Sequence, residues 1–354
     1  MESPVEVRFR RRTSARRGCS EHRLLRRPAI LPAVEPLPRN RVRVDRSSLS
    51  FPHLGRFCRI SAVAHGAALP WPVVIDKEST VIPTIELNDG NHLPTIGLGT
   101  YPMDDDQARS AVLSAIDTGY RLIDTAARYG NETGVGRAVA DTDIDRDDLF
   151  ITTKLPGADH GYESTLASFE QSRQRLGVEY VDLYLIHWPL PRIDKYVDSF
   201  KAMIKLRGDG LIRSVGVSNF TDEQLKHLIR DTGVRPTVNQ IELHPAFNQA
   251  RMREADTGMD IVTQAWSPLG RGKPVLGHPL VRGIADVHSV TPAQVVLRWE
   301  IQLGVVPIPK SSDPDRQRAN LAVFDFTLDD EQMRVMSGLE TGRTGGDPVN
   351  HEEF

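Results

Sequence analysis

Short apolar runs alternate with amphipathic segments from about residue 81 onward, and this alternation constrains the fold more than any other feature. Eight runs are typical of strands: residues 93–101, 121–126, 149–155, 181–188, 214–220, 237–244, 260–268 and 305–310. Helical patterns lie at 105–118, 131–140, 161–176, 195–207, 222–232, 248–257, 292–303, 313–322 and 329–339, with Asp222 and Thr291 placed as N-caps. Such alternation predicts a parallel sheet whose crossover connections are helices.

Eight strand–helix units within about 250 residues predict an α/β fold, a (β/α)8 TIM barrel, rather than an open sheet. The alternative is a doubly wound sheet that binds a dinucleotide through a glycine-rich first turn. The turn after the first predicted strand reads Gly97-Leu98-Gly99-Thr100-Tyr101-Pro102, so Pro102 stands where that fingerprint has its third glycine. The sequence therefore favours the barrel.

Residues 1–75 differ from the rest of the chain in charge. They hold 15 of the 44 basic residues, all of them Arg, and 5 of the 47 acidic ones, so their net charge is +10 against −13 for residues 76–354. They sustain no helical or strand periodicity, which predicts a mostly disordered N-terminal extension on a barrel domain of residues 76–354. The extension is a targeting peptide, a nucleic-acid-binding arm, or upstream sequence outside the native mature protein. The lack of Lys and of interleaved aromatic residues favours the third explanation.

Several other classes of protein are excluded by simple counts. Two cysteines, Cys19 and Cys58, are too few for a disulfide framework, and no run of 18 apolar residues predicts a transmembrane helix. His244 has no Cys or second His at metal-binding spacing, so no metal site is predicted. We expect a cytoplasmic protein, a monomer, that binds a small-molecule substrate and neither a membrane nor nucleic acid.

Polar residues end three consecutive predicted strands: Asp124, Lys154 and His187. Tyr129 follows Asp124 in a short loop. The carboxyl ends of barrel strands carry the chemistry in TIM barrels, so the four side chains are predicted to meet there. An ammonium beside a tyrosine favours the phenolate, which predicts a lowered tyrosine pKa, and a carboxylate keeps that ammonium charged. The histidine is then available to donate a hydrogen bond to a substrate oxygen, which completes a candidate proton-donor system.

Three motifs resemble those of the aldo-keto reductases. Gly119-Tyr120-Arg121-Leu122-Ile123-Asp124-Thr125-Ala126, followed by Tyr129, Glu132 and Gly136, resembles the first diagnostic motif of that family. Val215-Gly216-Val217-Ser218-Asn219-Phe220 resembles its strand-five motif, and Ile308-Pro309-Lys310-Ser311 with Arg316 and Asn320 resembles its cofactor-clamping loop and helix. The resemblance covers about residues 82–354. Trp266 is similar to the residue at that position in the bacterial 2,5-diketo-D-gluconate reductase-like branch.

The resemblance implies an NADP-dependent oxidoreductase with NADPH as its cofactor. Tyr129 would protonate the carbonyl oxygen, Lys154 and Asp124 would tune the tyrosine, and His187 would orient the carbonyl. The implied cofactor contacts are Ser218, Asn219 and Gln240 for the carboxamide, Trp266 for the nicotinamide ring, Ser267 and Leu269 for the pyrophosphate, Lys310, Ser311 and Arg316 for the 2′-phosphate, Asn320 for the adenine, and Thr100. Ala319 departs from the family, in which many members have Glu there, and this predicts looser adenine binding.

The substrate pocket is less legible in the sequence. Tyr101 and Trp188 are predicted to wall it with aromatic rings, and the tail at residues 345–354 is placed to reach over it. The loop at residues 270–279 is too short for a large lid, which favours small aldehydes, keto sugars and α-dicarbonyl compounds as substrates. The alternative is a regulatory subunit that binds the cofactor without significant turnover.

Overall fold

A short hairpin precedes eight parallel strands that form the centre of the chain. The computed structural model describes residues 82–353, apart from the side chain of Lys273. The strands are β1 (Thr84–Glu86), β2 (His92–Pro94), β3 (Gly97–Gly99), β4 (Leu122–Asp124), β5 (Phe150–Leu155), β6 (Val181–Ile186), β7 (Ile212–Ser218), β8 (Val238–Glu242), β9 (Val262–Trp266) and β10 (Val306–Pro307). From β3 to β10, each strand pairs in parallel with the next along the chain.

The barrel closes where β3 meets the end of β10. The backbone N–H of Gly99 donates to the carbonyl oxygen of Pro309 at 3.1 Å. A Cβ atom at residue 99 would lie 2.9 Å from the carbonyl oxygen of Ile308, so glycine is needed for this close approach. The predicted TIM barrel is thus confirmed. The predicted extension, residues 1–75, and the domain boundary at residue 76 lie outside the described residues.

The hairpin of β1 and β2 covers the amino-terminal end of the barrel. The predicted first strand, residues 93–101, is wrong as a single element, because β2 pairs antiparallel with β1 and only β3 joins the barrel. The amide of Asn88, in the hairpin turn, donates to the carbonyl oxygens of Pro236 and Asp260 at 2.9 and 2.7 Å, just before β8 and β9. The hairpin thus covers this end of the barrel, whereas a cleft lined by strand-end residues opens at the carboxyl ends of the strands.

Helices surround the barrel: α1 (Asp105–Thr118), α2 (Glu132–Asp141), α3 (Tyr162–Leu176), α4 (Tyr196–Gly208), α5 (Asp222–Thr232), α6 (Ala250–Gly258), α7 (Lys273–Leu276), α8 (Pro279–His288), α9 (Pro292–Gln302), α10 (Pro314–Leu321) and α11 (Asp330–Ser337). Thr291 caps α9 as predicted. Asp222 is not an N-cap, because Thr221 accepts the hydrogen bond from the N–H of Gln224 and Asp222 is the first helical residue.

The sequence analysis missed α7 and α8. Gly283 lies inside α8 and lowers its helix propensity, and α7 has only four residues. Within residues 82–353, no helix is long and apolar enough to cross a membrane.

Asp256 is a buried acid that ties α6 to the barrel wall. Its carboxyl accepts hydrogen bonds from the Asn239 amide at 3.1 Å and the Thr263 hydroxyl at 2.8 Å, on β8 and β9. Burial raises the pKa of Asp256 to about 7, although both hydrogen bonds lower it. The folded protein therefore favours the protonated carboxyl at a pH where the unfolded chain has released the proton.

Because of this raised pKa, the free energy of unfolding of the wild type should fall as the pH rises from about 4 to about 7. The Asp256→Asn variant should not show this fall. The amide variant carries no charge at either pH. We expect the free energy of unfolding of Asp256→Asn, relative to that of the wild type, to be about 3 kcal/mol higher at pH 8 than at pH 5. Urea denaturation across this range measures the difference. A difference that does not change with pH would contradict the prediction.

Candidate active site

A cleft of about 540 Å³ opens at the carboxyl ends of the strands. Eleven of the predicted site residues line it: Thr100, Tyr101, Asp124, Tyr129, His187, Trp188, Asn219, Gln240, Trp266, Ser267 and Lys310. Among the other predicted residues, Lys154 lies directly beneath the cleft and Ser218 contacts two lining residues. Leu269, Ser311, Arg316 and Asn320 are not among the lining residues in the described part of the chain. The barrel thus gathers residues that lie far apart in the sequence.

Asp124, Lys154 and Tyr129 form a chain of contacts at the base of the cleft. Asp124 ends β4, Lys154 lies on β5, and Tyr129 ends a one-turn 3-10 helix, Ala127–Tyr129. The Lys154 Nζ donates to Asp124 Oδ1 at 2.5 Å, to the carbonyl oxygen of Thr125 at 3.0 Å and to the Tyr129 hydroxyl at 3.3 Å. Lys154 is completely buried, and these three contacts provide a partner for each donor hydrogen of its ammonium group.

His187 follows β6 on the other side of Tyr129. The two rings meet edge to face with their centroids 5.7 Å apart. Nδ1 of His187 lies 2.7 Å from Oε1 of Glu353, a residue of the tail that the sequence analysis did not identify. Tyr101 packs on Tyr129 from the solvent side, with ring centroids 5.0 Å apart. The tyrosine hydroxyl is thereby placed between a cation and a histidine.

Burial controls the titration of these groups. The predicted lowering of the Tyr129 pKa is wrong: burial raises the pKa well above its ordinary value, and Asp124 and Glu353 raise it further. The physical reason is that Asp124 neutralises the Lys154 charge at 2.5 Å, which leaves desolvation of the phenolate dominant. Burial also lowers the pKa of Lys154, against the opposing effect of Asp124, and lowers that of His187. At neutral pH the tyrosine is protonated and the histidine is uncharged.

The three residues predicted to hold a carboxamide are linked to one another. The Asn219 amide donates to the His187 carbonyl and the Ser218 hydroxyl, both at 3.0 Å, and Ser218 donates to the Gln240 carbonyl at 2.8 Å. The Gln240 amide nitrogen donates to Asp124 and Gln264, each at 2.7 Å. The donor hydrogens of both amides are therefore used. Because Asn219 Oδ1 also accepts from the indole N–H of Trp266, these residues offer a ligand the Gln240 side-chain oxygen and one remaining lone pair of Asn219.

Trp266, the predicted ring-stacking residue, ends β9 and lines the cleft. Its indole N–H donates to Oδ1 of Asn219 at 2.8 Å, which fixes the plane of the ring. The next residue, Ser267, has a positive φ of 51° and also lines the cleft. Leu269 packs into the hydrophobic core, so that only its backbone is available to the predicted pyrophosphate.

The residues predicted to bind a 2′-phosphate and an adenine surround the start of α10. Lys310 is exposed and lines the cleft, Ser311 is buried, and the Arg316 side chain is 80% exposed, with its Nε 4.0 Å from Asp313. Asn320 is buried near Tyr120, whose hydroxyl donates to the carbonyl oxygen of Gln317 at 3.3 Å. The structure therefore leaves Lys310 and Arg316 open to an anion, whereas Asn320 lies below the surface.

The tail segment, residues 344–353, forms the outer wall of the cleft, as far as it is described. His351 packs on Trp188 with ring centroids 4.0 Å apart, and Glu353 reaches His187. Arg128 and Arg271 also line the cleft without having been predicted. Arg271 lies two residues after Leu269, one of the predicted cofactor contacts, so its position was a usable signal. The tail has no periodicity from which its contacts were predictable.

Two further groups serve the structure around the site. Glu132 accepts a hydrogen bond from Thr153 at 2.5 Å and pairs with Arg175 at 2.7 Å, which fixes α2 beside Lys154. The His244 ring contacts Glu242 at 3.2 Å inside the barrel wall. Among the described residues, no group of three or more His, Cys, Asp or Glu side chains is placed to bind a metal ion.

Comparison with known proteins gives consistent matches. A model of the aldo/keto reductase family matches residues 95–275 and 276–340. The chain is 51% identical over 274 residues to 2,5-diketo-D-gluconic acid reductase B from a Corynebacterium species, covering 77% of this chain and 99% of that protein. A solved aldo/keto reductase from Brucella melitensis matches with a TM-score of 0.71 and 48% identity, covering 73% of this chain and all of the other. A variant of Gox0644, solved in complex with NADPH, matches with a TM-score of 0.73 and 43% identity, covering 76% and 98%.

Proposed function

Because this chain belongs to the aldo/keto reductase family, we propose that it reduces small aldehydes, keto sugars or α-dicarbonyl compounds to alcohols, with Tyr129 as the proton donor. It is an NADP-dependent oxidoreductase with NADPH as its cofactor. The observation that carries the proposal is the position of the Tyr129 hydroxyl, 3.3 Å from a buried lysine ammonium and in the same cleft as His187.

The residues around the cleft fit a nicotinamide cofactor. Asn219 and Gln240 have committed their amide hydrogens within the protein, so the Gln240 oxygen, and the second lone pair of Asn219 Oδ1 beside the Trp266 N–H, are left to accept from a carboxamide NH2 group. The Trp266 ring is held by Asn219 beside them as a flat apolar surface. Lys310 and Arg316 supply the positive charge that a 2′-phosphate requires, on a domain of net charge −13. NADPH, when bound, supplies the hydride for the carbonyl carbon.

The protein's own residues manage the proton. The raised pKa keeps Tyr129 protonated, so the phenol retains a proton to give to the carbonyl oxygen. Once the proton leaves, the Lys154 ammonium 3.3 Å away stabilises the phenolate, and Asp124 holds the ammonium in place. A neutral His187 has a single N–H, and its Nδ1 lies 2.7 Å from the Glu353 carboxylate, so His187 orients the carbonyl compound through its ring, which packs edge to face on Tyr129. The products are the alcohol and a tyrosinate that is reprotonated from solvent.

The regulatory-subunit alternative makes a different prediction for the same sample. If the protein is an enzyme, the purified protein should oxidise NADPH in the presence of methylglyoxal, and the fall in NADPH absorbance measures this reaction. A pure binding protein should retain NADPH without consuming it. The buried Asp124–Lys154 pair favours the enzyme, because a binding protein gains nothing from a charged lysine held at 3.3 Å from a tyrosine hydroxyl.

Arg316→Ala tests the 2′-phosphate assignment. The exposed guanidinium is free of any short contact to its nearest carboxylate, Asp313, so its removal should leave the fold unchanged. We expect the KM for NADPH to rise about tenfold or more, and the KM for NADH to change less than about twofold, because only NADPH carries the dianion. Arg318→Ala is the matched control, since Arg318 lies on the same helix and pairs with Asp315 at 2.8 Å. Equal shifts for both cofactors would contradict the assignment.

A further inference from the structure

A carboxylate from the tail lies inside the cleft, next to the atoms proposed to react. Glu353 is 8% exposed, and its Oε1 lies 2.7 Å from Nδ1 of His187. Its Oε2 accepts a hydrogen bond from the backbone N–H of Gly157 at 3.1 Å. A buried carboxylate is costly unless it has such partners, so its position is specified rather than incidental.

Several contacts of the tail segment fix this position. The Glu242 carboxylate accepts hydrogen bonds from the N–H groups of Thr344 and Gly345 at 2.7 and 2.9 Å. Further along, His351 packs on Trp188 and Glu352 pairs with Arg192. The segment is therefore attached at both ends, and Glu353 is held against His187.

The backbone at Glu353 is also tightly fitted. A Cβ atom at residue 157 would lie only 2.2 Å from the Glu353 carbonyl oxygen, so Gly157 leaves the space that this residue occupies. Movement of the carboxylate towards solvent would break the Gly157 contact as well as the one to His187.

The charge of Glu353 is not cancelled by the groups around Tyr129. Asp124 and Lys154 form a neutral pair at 2.5 Å, and burial keeps His187 uncharged. Arg271 and Lys310 follow β9 and β10, on the side assigned to the cofactor. Arg128, the lining cation next to Tyr129 in the chain, already takes part in an interaction within the protein. The substrate end of the cleft therefore contains a fixed negative charge beside His187.

We propose that Glu353 determines charge specificity: it selects uncharged carbonyl compounds and rejects those with a carboxylate next to the reacting carbonyl. The inference rests on the proposed reductase function. A carboxylate on the α-carbon of the substrate would approach Glu353 within a few ångströms, and because Glu353 is almost completely buried, water screens the repulsion between the two charges only weakly. An ester or a sugar hydroxyl at the same position carries no such penalty.

The test compares two substrates that share one ketone. Methyl benzoylformate is uncharged and benzoylformate is its anion, and both are assayed with NADPH for the wild type, Glu353→Gln and Glu352→Gln. Glu352 is the matched control, because it also lines the cleft and carries the same charge one residue earlier, but its carboxylate is paired with Arg192. We expect Glu353→Gln to raise the ratio of kcat/KM for the anion to that for the ester by about tenfold or more. Glu352→Gln should leave the ratio within about twofold of the wild type.

A binding measurement separates this proposal from the reductase function. Quenching of tryptophan fluorescence from Trp188 and Trp266, which line the cleft, gives the Kd of benzoylformate with or without turnover. Glu353→Gln should lower this Kd about tenfold relative to Glu352→Gln. If neither substrate is reduced by the wild type but the Kd shifts as expected, the reductase function fails and the charge selection stands. An unchanged ratio and an unchanged Kd, or equal changes in both variants, would overturn the proposal.

Discussion

Tyr129→Phe is expected to lower kcat for carbonyl reduction about a thousandfold or more, while the Kd for NADPH changes less than about twofold. The substitution removes one oxygen atom, and its hydrogen-bonding partner Lys154 keeps its contacts with Asp124 and Thr125. The ring also keeps its packing against His187 and Tyr101. The fold and the cofactor contacts should therefore survive, and the loss should report proton donation alone.

Tyr101→Phe is the matched control for this experiment. Tyr101 lines the same cleft, its ring lies 5.0 Å from that of Tyr129, and its side chain is 63% exposed. Its hydroxyl has no place in the proposed proton transfer, so kcat should stay within a few-fold of the wild type. Single-turnover kinetics with NADPH already bound separate the chemical step from product release. Turnover by Tyr129→Phe at the wild-type rate would exclude Tyr129 as the proton donor.

The sequence predicted that the proposed catalytic residues lie close together, because barrel topology converts position along a strand into position in space. Asp124, Lys154 and His187 end or follow three neighbouring strands, so parallel pairing alone brings them together. The same logic correctly places Asn219 and Trp266 at this end. The prediction from topology is wrong for β2, because a strand that precedes a barrel strand in the sequence can pair in a hairpin instead of joining the barrel.

The sequence predicted that the tail lies over the cleft, but not the individual contacts of the tail or the effects of burial. The pKa of Tyr129 depends on how much water the surrounding chain removes, and no local pattern around residue 129 encodes this. Glu353 reaches His187 through a segment without helical or strand periodicity, anchored by the Glu242 carboxylate more than a hundred residues away in the chain. Neighbouring Glu352 has the same residue type but a surface partner, so residue type alone does not distinguish the two.

Substitutions in the Asp124–Lys154 pair should lower both the free energy of unfolding and kcat, and more strongly than substitutions in any other ion pair in the cleft. Both side chains are essentially buried, and their charges are 2.5 Å apart. Removing one partner of a buried pair leaves an uncompensated charge, which costs about 3–5 kcal/mol. We expect Asp124→Asn and Lys154→Met each to lower the free energy of unfolding by about 3 kcal/mol and kcat by about a hundredfold or more. The double variant should lose at least about 2 kcal/mol less than the sum of the two single losses.

The loss of unfolding free energy in Asp124→Asn should also depend on pH, and the titration of Lys154 determines whether this loss grows or shrinks as the pH rises. Burial lowers the pKa of this lysine, and without Asp124 the main group that raises it is gone. The folded variant then binds fewer protons than its unfolded chain, so its stability rises with pH and the deficit relative to the wild type shrinks. Lys154→Met should show no such trend. Urea denaturation between pH 7 and pH 9 measures both.

The exposed Lys205–Asp209 pair, at 2.6 Å with side chains about half exposed, provides the control for charge removal. Lys205→Met should cost less than about 1 kcal/mol, because water already screens that pair. Additive losses in the double variant at Asp124 and Lys154 would mean that the two charges do not stabilise each other in the folded protein. In that case Asp124 could not be what keeps the ammonium charged beneath Tyr129, and the tyrosinate would lack its counter-ion.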